Sequence, residues 1–381
     1  MKKLDIKKLQ NNIEYTLSQD IEDCTISGAS VSIYNNGATV FEGCYGMADT
    51  DSKEPLTINN IFRMASMSKP ITAVCIMLEM ERGHLDINDN LSKFVPGFEK
   101  MYVGKIENDK LVKSHPATSQ IKLFHLLTHT SGLLSADQVA SKQSVPPEES
   151  ITLEKCINYY STHMLLSDSP FERALYSGLA GFDTLSRVVE ITSGMNFNEY
   201  VQKNICEVLD MPDTTFTPTE EQWERTVAMH DRTDGKNTIS NLGKYTFDGI
   251  HQTRFSGSCA LVSTLRDYSH FAQMLLCEGN YNGYQLLAPE TVRLMRTPHV
   301  PNTVLGIGPG ETWGLGMRVI KKDPYLCPGT FGWSGAYGTH FFVDPTNNLY
   351  AVYLKNSRYD GGSGANTARA FEKDVMTALL P

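Results

Sequence analysis

Apolar and polar positions form strand-like runs near both ends of the chain and follow helical spacing between them. Residues 1–21 predict a short amphipathic helix. The segment GASVSIYNNGATVFEGCYG (28–46) contains two strand-like runs joined at Asn35, Asn36 and Gly37. Because Asn and Gly tolerate the positive φ angles of a tight turn, these runs predict a β-hairpin.

A long apolar run follows within residues 62–83. Its core, ITAVCIMLEM, is apolar nearly all the way round, which predicts a helix buried on every side, with Gly83 as its C-cap. From about 85 to 250 the spacing is mostly helical. Four segments there have apolar residues at i, i+3 and i+4: IKLFHLLTHTSGLL, LEKCINYYSTHMLL, AGFDTLSRVVEITSG and FNEYVQKNICEVLD.

The last third of the chain returns to strand signals. A helix, TLRDYSHFAQMLLCEG, precedes three strand-like runs, and TARAFEKDVMTALL predicts a closing helix. The three runs are TWGLGMRVI, GTHFFVDP and NLYAVYLKNS, the last two joined through 345–348 as a hairpin. The pattern predicts no structure for the loops 98–118, 136–150 and 228–256.

Strands at both ends with helices between them predict an α/β fold of the layered α+β kind. We expect a mostly antiparallel sheet built from both termini, with flanking helices and a largely helical insertion. Residues 1–84 and 251–381 are expected to form the sheet domain, and residues 85–250 a mostly helical domain. An active site would lie where the two meet.

Composition and charge restrict the partners. The 381 residues are 41 % hydrophobic and 20 % charged, as in ordinary globular proteins. The formal net charge is −9, and no stripe of Lys and Arg is present, which disfavours nucleic acid and anionic membranes as partners. A small-molecule substrate is favoured, and no stretch is apolar for long enough to span a bilayer.

The cellular compartment is inferred from the N-terminus and the cysteines. Asp5 and Lys7 interrupt the N-terminal segment before an apolar core can form, so it does not resemble a signal peptide. The eight cysteines form no C-x-x-C pair, and most lie in apolar segments. We therefore expect reduced thiols and a cytoplasmic protein.

Candidate chemistry begins with Ser66 and Lys69 at the head of the buried helix. Residues three apart on a helix share a face, with about 5 Å between their Cβ atoms. An amine there could take the hydroxyl proton if burial or nearby positive charge lowered its pKa from ~10.4. The spacing alone is weak evidence, because Ser119 and Lys122 repeat it before an ordinary amphipathic helix.

The segment FRMASMSKPITA (62–73) resembles the nucleophile segment of the serine β-lactamase and penicillin-binding-protein superfamily. Four further segments resemble its class C β-lactamase-like branch in the same order: IKLFHLLTHTSGL, YSGLAGFDTLSRVVE, SGSCALVSTLRDYSHFAQMLL and FGWSGAYGTHFFVDP. The resemblance covers about 28–360 and implies a β-lactamase/transpeptidase-like fold.

The resemblance implies roles for individual residues. Ser66 would be the nucleophile and Lys69 its partner base. Tyr176, in YSG, stands in the place of the tyrosine of the family's Y-x-N motif, which shuttles the proton between nucleophile and leaving group. The N–H of Ala336 would complete an oxyanion hole with the N–H of Ser66.

The substrate pocket is implied in the same way. Trp333, Ser334 and Gly335 stand in the place of the family's K-T-G triplet, and Tyr337 could line the pocket beside them. Gly178 stands where the family has the asparagine of Y-x-N. The loop FSGSC at 255–259 is a plausible rim, although Gly257 there could simply form a turn.

Two departures from the family pattern narrow the range of expected substrates. The lysine of K-T-G, which grips the substrate carboxylate, is replaced at Trp333, and the amide of Y-x-N is lost at Gly178. Peptide-like and β-lactam substrates should therefore bind poorly. An indole at the mouth would instead offer apolar surface, as in family VIII carboxylesterases and related acyltransferases. We expect a hydrolase or acyltransferase acting on a small-molecule ester or amide.

Alternatives remain open. The same nucleophile would serve a D,D-carboxypeptidase, a D-aminopeptidase or a weak β-lactamase, and a non-catalytic binding protein could retain the fold. His125 and His129 imitate a metal pair, but no Glu follows in the H-E-x-x-H manner. His340 is interpreted as a strand residue. We expect no metal and no organic cofactor.

Overall fold

The structure, a computed structural model, describes residues 2–240 and 250–380. These residues form sixteen strands: β1 (Gly28–Asn35), β2 (Ala38–Asp49), β3 (Glu54–Pro55), β4 (Ile61–Arg63), β5 (Tyr102–Glu107), β6 (Lys110–Pro116), β7 (His230–Thr233), β8 (Lys236–Ile239), β9 (Val262–Thr264), β10 (Asn280–Tyr281), β11 (Tyr284–Gln285), β12 (Glu311–Trp313), β13 (Arg318–Ile320), β14 (Phe331–Ser334), β15 (His340–Asp344) and β16 (Leu349–Leu354).

The same residues form eleven α-helices: α1 (Ile6–Glu22), α2 (Ser68–Glu81), α3 (Leu123–Leu127), α4 (Gln138–Ser141), α5 (Leu153–His163), α6 (Ala180–Ser193), α7 (Phe197–Val201), α8 (Glu220–Glu224), α9 (Leu265–Leu276), α10 (Pro289–Met295) and α11 (Asn366–Thr377). A 3-10 turn, Ala65–Met67, leads into α2, and a π-helical turn, Gln202–Cys206, continues α7.

The main sheet joins the two ends of the chain. Its strand order is β12-β13-β14-β15-β16-β1-β2-β3, and every neighbouring pair is antiparallel. The join is made where β1 pairs with β16, with Ser32 opposite Val352. The N-terminal hairpin turns at Asn36 and Gly37, both with positive φ. The predicted α/β fold with an antiparallel sheet built from both termini is therefore confirmed.

Helices cover both faces of this sheet. On one face, Leu9, Ile13 and Leu17 of α1 pack with α11 against β1 and β16. On the other face, α2 and α9 belong to the larger core, and α2 is buried continuously from Ser68 to Glu79. This burial on all sides matches the apolar sequence of α2, and it keeps the helix that follows Ser66 in a fixed position.

The middle of the chain contains more strand than its pattern predicts. The loop 98–118 contains the hairpin β5–β6, which turns at Asn108 and Asp109, both with positive φ. The loop 228–256 contains the hairpin β7–β8, while residues 241–249 within it lie outside the described residues. The division into domains 1–84 with 251–381 and 85–250 stays a prediction.

Two predicted elements are shorter than their patterns. IKLFHLLTHTSGLL is helical only over α3, because the backbone turns at His129 with a φ of 54°. TWGLGMRVI forms two strands, β12 and β13, separated by a turn with Gly316 at a φ of 82°. All eight cysteines are free thiols, as expected. Within the described ranges, no helix combines the length and apolar character needed to cross a membrane.

Candidate active site

Ser66 occupies a tight 3-10 turn between β4 and α2 rather than the α-helix itself. The preceding residue, Ala65, has a φ of 47°, a left-handed conformation that is uncommon for a residue with a Cβ. Such backbone persists only where the surroundings enforce it. Here Thr339 Oγ1 donates to the Met64 carbonyl at 2.9 Å, which fixes the entry to the turn.

Helix α9 fixes the other side of the turn. The hydroxyl of Tyr268 donates to the carbonyl of Met67 at 2.9 Å, and its ring is completely buried. Ser68 Oγ donates to the carbonyl of Ala65 at 2.8 Å and accepts from the N–H of Leu261 at 3.2 Å. The backbone around Ser66 is thus held on both sides by buried hydrogen bonds.

Lys69 is fully buried beneath Ser66. Its Nζ lies 3.1 Å from Ser66 Oγ, 2.7 Å from the carbonyl oxygen of Gly178 and 2.9 Å from that of Ser258. The two carbonyl groups come from segments more than a hundred residues beyond Lys69, so the amine is oriented by tertiary contacts. It also lies 5.0 Å from the centroid of the Tyr176 ring.

Tyr176 also contacts Ser66. Its hydroxyl donates to Ser66 Oγ at 2.7 Å, and its partly buried ring packs against Trp333, with 5.3 Å between the centroids. Ser66 Oγ, which the sequence suggested as the nucleophile, is therefore within hydrogen-bond distance of both Lys69 and Tyr176. Their catalytic roles remain predictions.

His129 supports the backbone on both sides of Tyr176. Its carbonyl accepts from the N–H of Leu175 at 2.9 Å, and its Nδ1 accepts from the N–H of Ser177 at 3.2 Å. Burial holds the pKa of His129 well below its usual value. The ring is therefore neutral, and it lies 4.6 Å from the Tyr176 ring.

A cavity of about 320 Å³ opens at Ser66. The residues around it are Arg63, Ala65, Ser66, Tyr176, Gly178, Leu179, Ile250, Cys259, Ala336 and Tyr337. Of the residues predicted for the pocket, Gly178 and Tyr337 thus border the cavity. Trp333, Ser334 and Gly335 are buried behind Ala336 instead. Trp333 is only 6 % exposed, so its indole backs Tyr176 rather than standing at the mouth as expected.

Gly335 brings the β14 strand end against the turn that carries Ser66. A Cβ on Gly335 would lie 2.4 Å from the carbonyl oxygen of Met64 and 3.3 Å from the Cβ of Ala65. Only a residue without a side chain permits this approach. It explains how Ala336 reaches the same cavity as Ser66, where its N–H could serve an oxyanion.

Ser334 faces away from the cavity into a buried polar chain. Its Oγ lies 2.8 Å from Nδ1 of His340, and Nε2 of His340 lies 3.2 Å from Oε1 of Glu372, although this second pair is not aligned as a hydrogen bond. Against the effect of burial, which raises it, contacts with His340, Arg318 and Arg369 lower the pKa of Glu372 to about 2. The sequence showed His340 only as a strand residue, and nothing in the pattern pointed to Glu372.

The beta-lactamase family model matches residues 13–373. The chain belongs to the beta-lactamase family.

Relatives of this beta-lactamase-family chain include two curated proteins. Protein Rv1367c of Mycobacterium tuberculosis is 28 % identical over 354 residues, covering 86 % of this chain and 85 % of that protein. Esterase EstB of Burkholderia gladioli is 26 % identical over 393 residues, covering 96 % of this chain and 94 % of that protein. The expectation of an enzyme related to the serine hydrolases is confirmed at the level of the family.

A solved structure of similar fold is EstCE1, described as a hydrolase with promiscuous acyltransferase activity. It is 24 % identical, with a TM-score of 0.80, and 98 % of each chain is covered. At this identity the likeness concerns the fold, and it confirms the predicted β-lactamase-like architecture of the chain.

Cys259 is a residue of this beta-lactamase-family site that the sequence placed only within the FSGSC rim. It borders the cavity next to Ser258, whose carbonyl accepts from Lys69. Burial and the charge of Asp183, opposed by Lys69, raise the pKa of the Cys259 thiol to about 11. The thiol is protonated at neutral pH and is a poor nucleophile beside Ser66.

The two histidines that imitated a metal pair have other partners. Nδ1 of His125 accepts from the N–H of Lys122 at 3.1 Å, and His129 supports the Tyr176 segment. Across residues 2–240 and 250–380, no group of three or more His, Cys, Asp or Glu residues is placed to hold a metal ion.

Proposed function

We propose that this protein is a serine hydrolase of carboxylic esters that works through an acyl-enzyme on Ser66. The observation that carries the proposal is the position of Ser66 Oγ, 3.1 Å from the Lys69 amine and 2.7 Å from the Tyr176 hydroxyl. A serine is activated when a base lies within hydrogen-bond distance of its hydroxyl and further groups orient that base.

The surroundings of Lys69 suit a base. A neutral amine has two N–H donors and one lone pair, whereas an ammonium has three donors. If the two N–H groups serve the carbonyls of Gly178 and Ser258, the lone pair faces the Ser66 hydroxyl. Tyr176 then connects this pair to the leaving group.

Acylation proceeds by attack of Ser66 Oγ on the ester carbonyl carbon while its proton passes to the Lys69 and Tyr176 pair. The negative charge that develops on the carbonyl oxygen is stabilised by the N–H groups of Ser66 and Ala336. The bond to the alcohol oxygen then breaks, and Tyr176 donates the proton that this oxygen needs. The products are the alcohol and an ester on Ser66.

Deacylation reverses the roles of these groups. Water, or an acceptor alcohol or amine, attacks the acyl carbonyl and gives its proton to Tyr176, and Ser66 regains a proton as its bond to the acyl group breaks. Water yields a carboxylic acid, whereas an alcohol or amine yields a transferred acyl group. No cofactor enters this scheme.

The cavity favours an ester over a β-lactam. At the place of the family's K-T-G lysine stands Trp333, and at the place of the Y-x-N amide stands Gly178. Arg63 also borders the cavity, but its guanidinium donates to the carbonyl of Val227 and lies 5.3 Å from the Trp223 ring centroid. The cation and the side-chain amide that would recognise a substrate carboxylate and amide are thus absent at these two positions.

The test compares 4-nitrophenyl acetate with a chromogenic cephalosporin and a D-alanyl-D-alanine peptide. We expect the ester to be turned over in preference to both, with an acetyl group on Ser66 detected by intact-protein mass spectrometry. Ser66→Ala should reduce hydrolysis to the uncatalysed rate. Ser119→Ala is the matched control, because Ser119 has the same spacing to a lysine but lies exposed, and it should leave the rate unchanged.

Two results would overturn the proposal. Preferred turnover of the cephalosporin or the peptide would assign the site to the β-lactamase or carboxypeptidase alternative. Failure of Ser66 to react with a fluorophosphonate, together with no ester turnover, would favour a non-catalytic binding protein. Addition of an acceptor alcohol, with separation of the products, decides between hydrolysis and transfer.

A further inference from the structure

A second and larger cavity adjoins the one at Ser66. Its volume is about 940 Å³, near the upper end of the roughly 300–1,000 Å³ typical of ligand sites. It shares Gly178, Leu179 and Ile250 with the cavity at Ser66, so the two cavities adjoin at these residues. Its far wall is formed by the segment 134–145, including α4.

Several polar side chains around this larger cavity are engaged with the protein. Gln143 exchanges two hydrogen bonds with the backbone of Leu165, at 2.9 and 2.7 Å. Arg254 is paired with the buried carboxylate of Asp183 at 2.5 Å. Asp137 accepts from the first turn of α4. These side chains therefore offer little polar recognition to a ligand, and most of the contact surface left is apolar.

Apolar side chains lie both on the far wall of the larger cavity and at its border with the catalytic cavity. Leu134, Val145 and Ile250 line the larger cavity, and Leu179 lies between the two. Leu179 is 39 % exposed, although its neighbour Ala180 is almost completely buried. Together with Ile250, Leu179 gives the border between the two cavities an apolar lining, as is typical of ligand pockets.

Gly178 leaves the passage between the cavities open. A Cβ built on Gly178 would meet no atom within 4 Å, so a side chain there would project into the passage. Its φ is outside the left-handed region, so the backbone accepts other residues without strain. The missing side chain therefore affects the shape of the site rather than the fold.

We propose that the larger cavity binds an extended apolar chain of the ester substrate, which passes over Gly178 from the carbonyl at Ser66. This inference rests on the proposed ester hydrolysis at Ser66. It assigns a substrate class: esters with a long alkyl chain on the acyl or the alcohol side. Gly178 determines chain-length specificity through the space that it leaves.

The experiment measures kcat/KM for 4-nitrophenyl esters from acetate to octanoate, which vary the acyl chain, and for ethyl and octyl acetate, which vary the alcohol. We expect kcat/KM to rise by up to roughly fourfold per methylene in one series, as expected for burial of a CH₂ group. The series that shows the rise identifies which side of the ester enters the cavity.

Substitutions then test whether the alkyl chain passes over Gly178 into the larger cavity. Gly178→Leu should lower the long-to-short ratio of kcat/KM by roughly tenfold or more, because the side chain fills the passage. Ala140→Phe, which fills the far wall from α4, should lower the same ratio while leaving Gly178 intact. Gly308→Leu is the control: its Cβ also meets no atom within 4 Å, but it is exposed and distant in sequence, and its ratio should equal that of the wild type.

The outcomes separate this inference from the proposed function. One result would be ester turnover that depends on Ser66 but shows no chain-length preference. Another would be a chain-length preference that Gly178→Leu and Ala140→Phe leave unchanged. Either result would overturn the proposal that the larger cavity binds a long chain, and the esterase proposal would stand. Calorimetric titration of Ser66→Ala with N-phenyl octanamide and N-phenyl acetamide reads chain binding without turnover. Where the acyl series shows the rise in kcat/KM, equal affinities for the two amides would also overturn the inference.

Discussion

At the scale of single residues, Ser66 and Ser119 show that a serine three residues before a lysine is not for that reason a nucleophile. Both stand three residues before a lysine, but only Ser66 lies in a strained turn with a tyrosine hydroxyl 2.7 Å away. Ser119 lies exposed near the start of α3. The difference comes from what the rest of the chain places around each serine.

Tyr176→Phe removes only the hydroxyl that contacts Ser66. The ring contacts with His129 and Trp333 are retained, so we expect an unchanged melting temperature. The kcat/KM for 4-nitrophenyl acetate should fall by roughly 10²–10⁴-fold, the usual contribution of a positioned proton-transfer group. Steady-state kinetics and a thermal melt check this, and a loss of less than threefold would contradict the role of Tyr176.

Gly335→Ala tests the close approach behind the oxyanion site. The added methyl group would lie 2.2 Å from Thr339 Oγ1 and 2.4 Å from the Met64 carbonyl oxygen, so the strand end must move away from Ser66. We expect kcat to fall by roughly 10²-fold with KM little changed, because the role proposed for the displaced N–H of Ala336 is to stabilise the transition state. Gly308→Ala, at an open position, should behave as the wild type.

At the scale of elements, α6 holds the loop that orients Lys69. Asp183 of α6 accepts from Ser256 Oγ at 2.5 Å and from the N–H of Ser258 at 3.2 Å, and it pairs with Arg254. The carbonyl of Ser258 in this loop accepts from Lys69. A carboxylate more than a hundred residues from Lys69 therefore sets the position of one of its two carbonyl partners.

Asp183→Asn is expected to disturb both stability and catalysis. Removing one charge of a buried ion pair leaves Arg254 uncompensated, which costs about 3–5 kcal/mol of unfolding free energy. The kcat should fall as the Ser258 carbonyl loses its support. Denaturant unfolding and ester kinetics measure the two effects.

The control for this prediction is Asp210→Asn. Asp210 also pairs with an arginine, Arg266, at 2.9 Å, but both side chains are more than 60 % exposed. A surface pair of this kind contributes ~1 kcal/mol or less. Equal destabilisation by the two variants would mean that the Asp183 pair has no special structural role.

At the scale of the whole molecule, one buried charged group connects the sheet with its C-terminal helix. Glu372 of α11 contacts Arg318 of β13 at 2.6 Å and lies 3.2 Å from His340 of β15. It also pairs with Arg369 one turn earlier in α11. Through His340 this network reaches Ser334, two residues before Ala336. The strand that borders the cavity is thus tied to the outer helical layer.

The pH dependence of the unfolding free energy should show the contribution of Glu372 to this network. The pKa of Glu372 is lowered from 4.5 to about 2 in the folded protein, so its contribution is present above pH ~4.5 and is lost as the pH falls towards 2. The difference in unfolding free energy between wild type and Glu372→Gln should therefore be roughly 2 kcal/mol smaller at pH 3 than at pH 7.

Urea unfolding at the two pH values measures this difference. Glu311→Gln serves as the control, because Glu311 also approaches Arg318, at 3.5 Å, but is 54 % exposed. Its effect should be small and independent of pH. A Glu372→Gln difference that stays constant between pH 3 and 7 would show that the carboxylate is not stabilised in the folded state.

Some strands and turns were not predicted from the sequence pattern because their signals are local and weak. In β5–β6 most side chains are exposed, so hydrophobic alternation is faint. The turn at Asn108 and Asp109, residues that tolerate positive φ, was the available signal for a hairpin. His129 gave a helical periodicity although its backbone turns there, because apolar spacing does not reveal a change of φ.

The sequence by itself determined the order of the main helices and of the strands near both termini, the antiparallel sheet that these strands form, the continuous burial of α2 and the family resemblance centred on Ser66. These follow from periodicity and ordered motifs, which are properties of neighbouring residues. Only the tertiary structure decided which distant groups surround Ser66: the Tyr176 hydroxyl, the Gly178 and Ser258 carbonyls and the strand end at Ala336. Contacts across more than a hundred residues depend on how layers pack, and packing also left Trp333 behind the site and opened the larger cavity past Gly178.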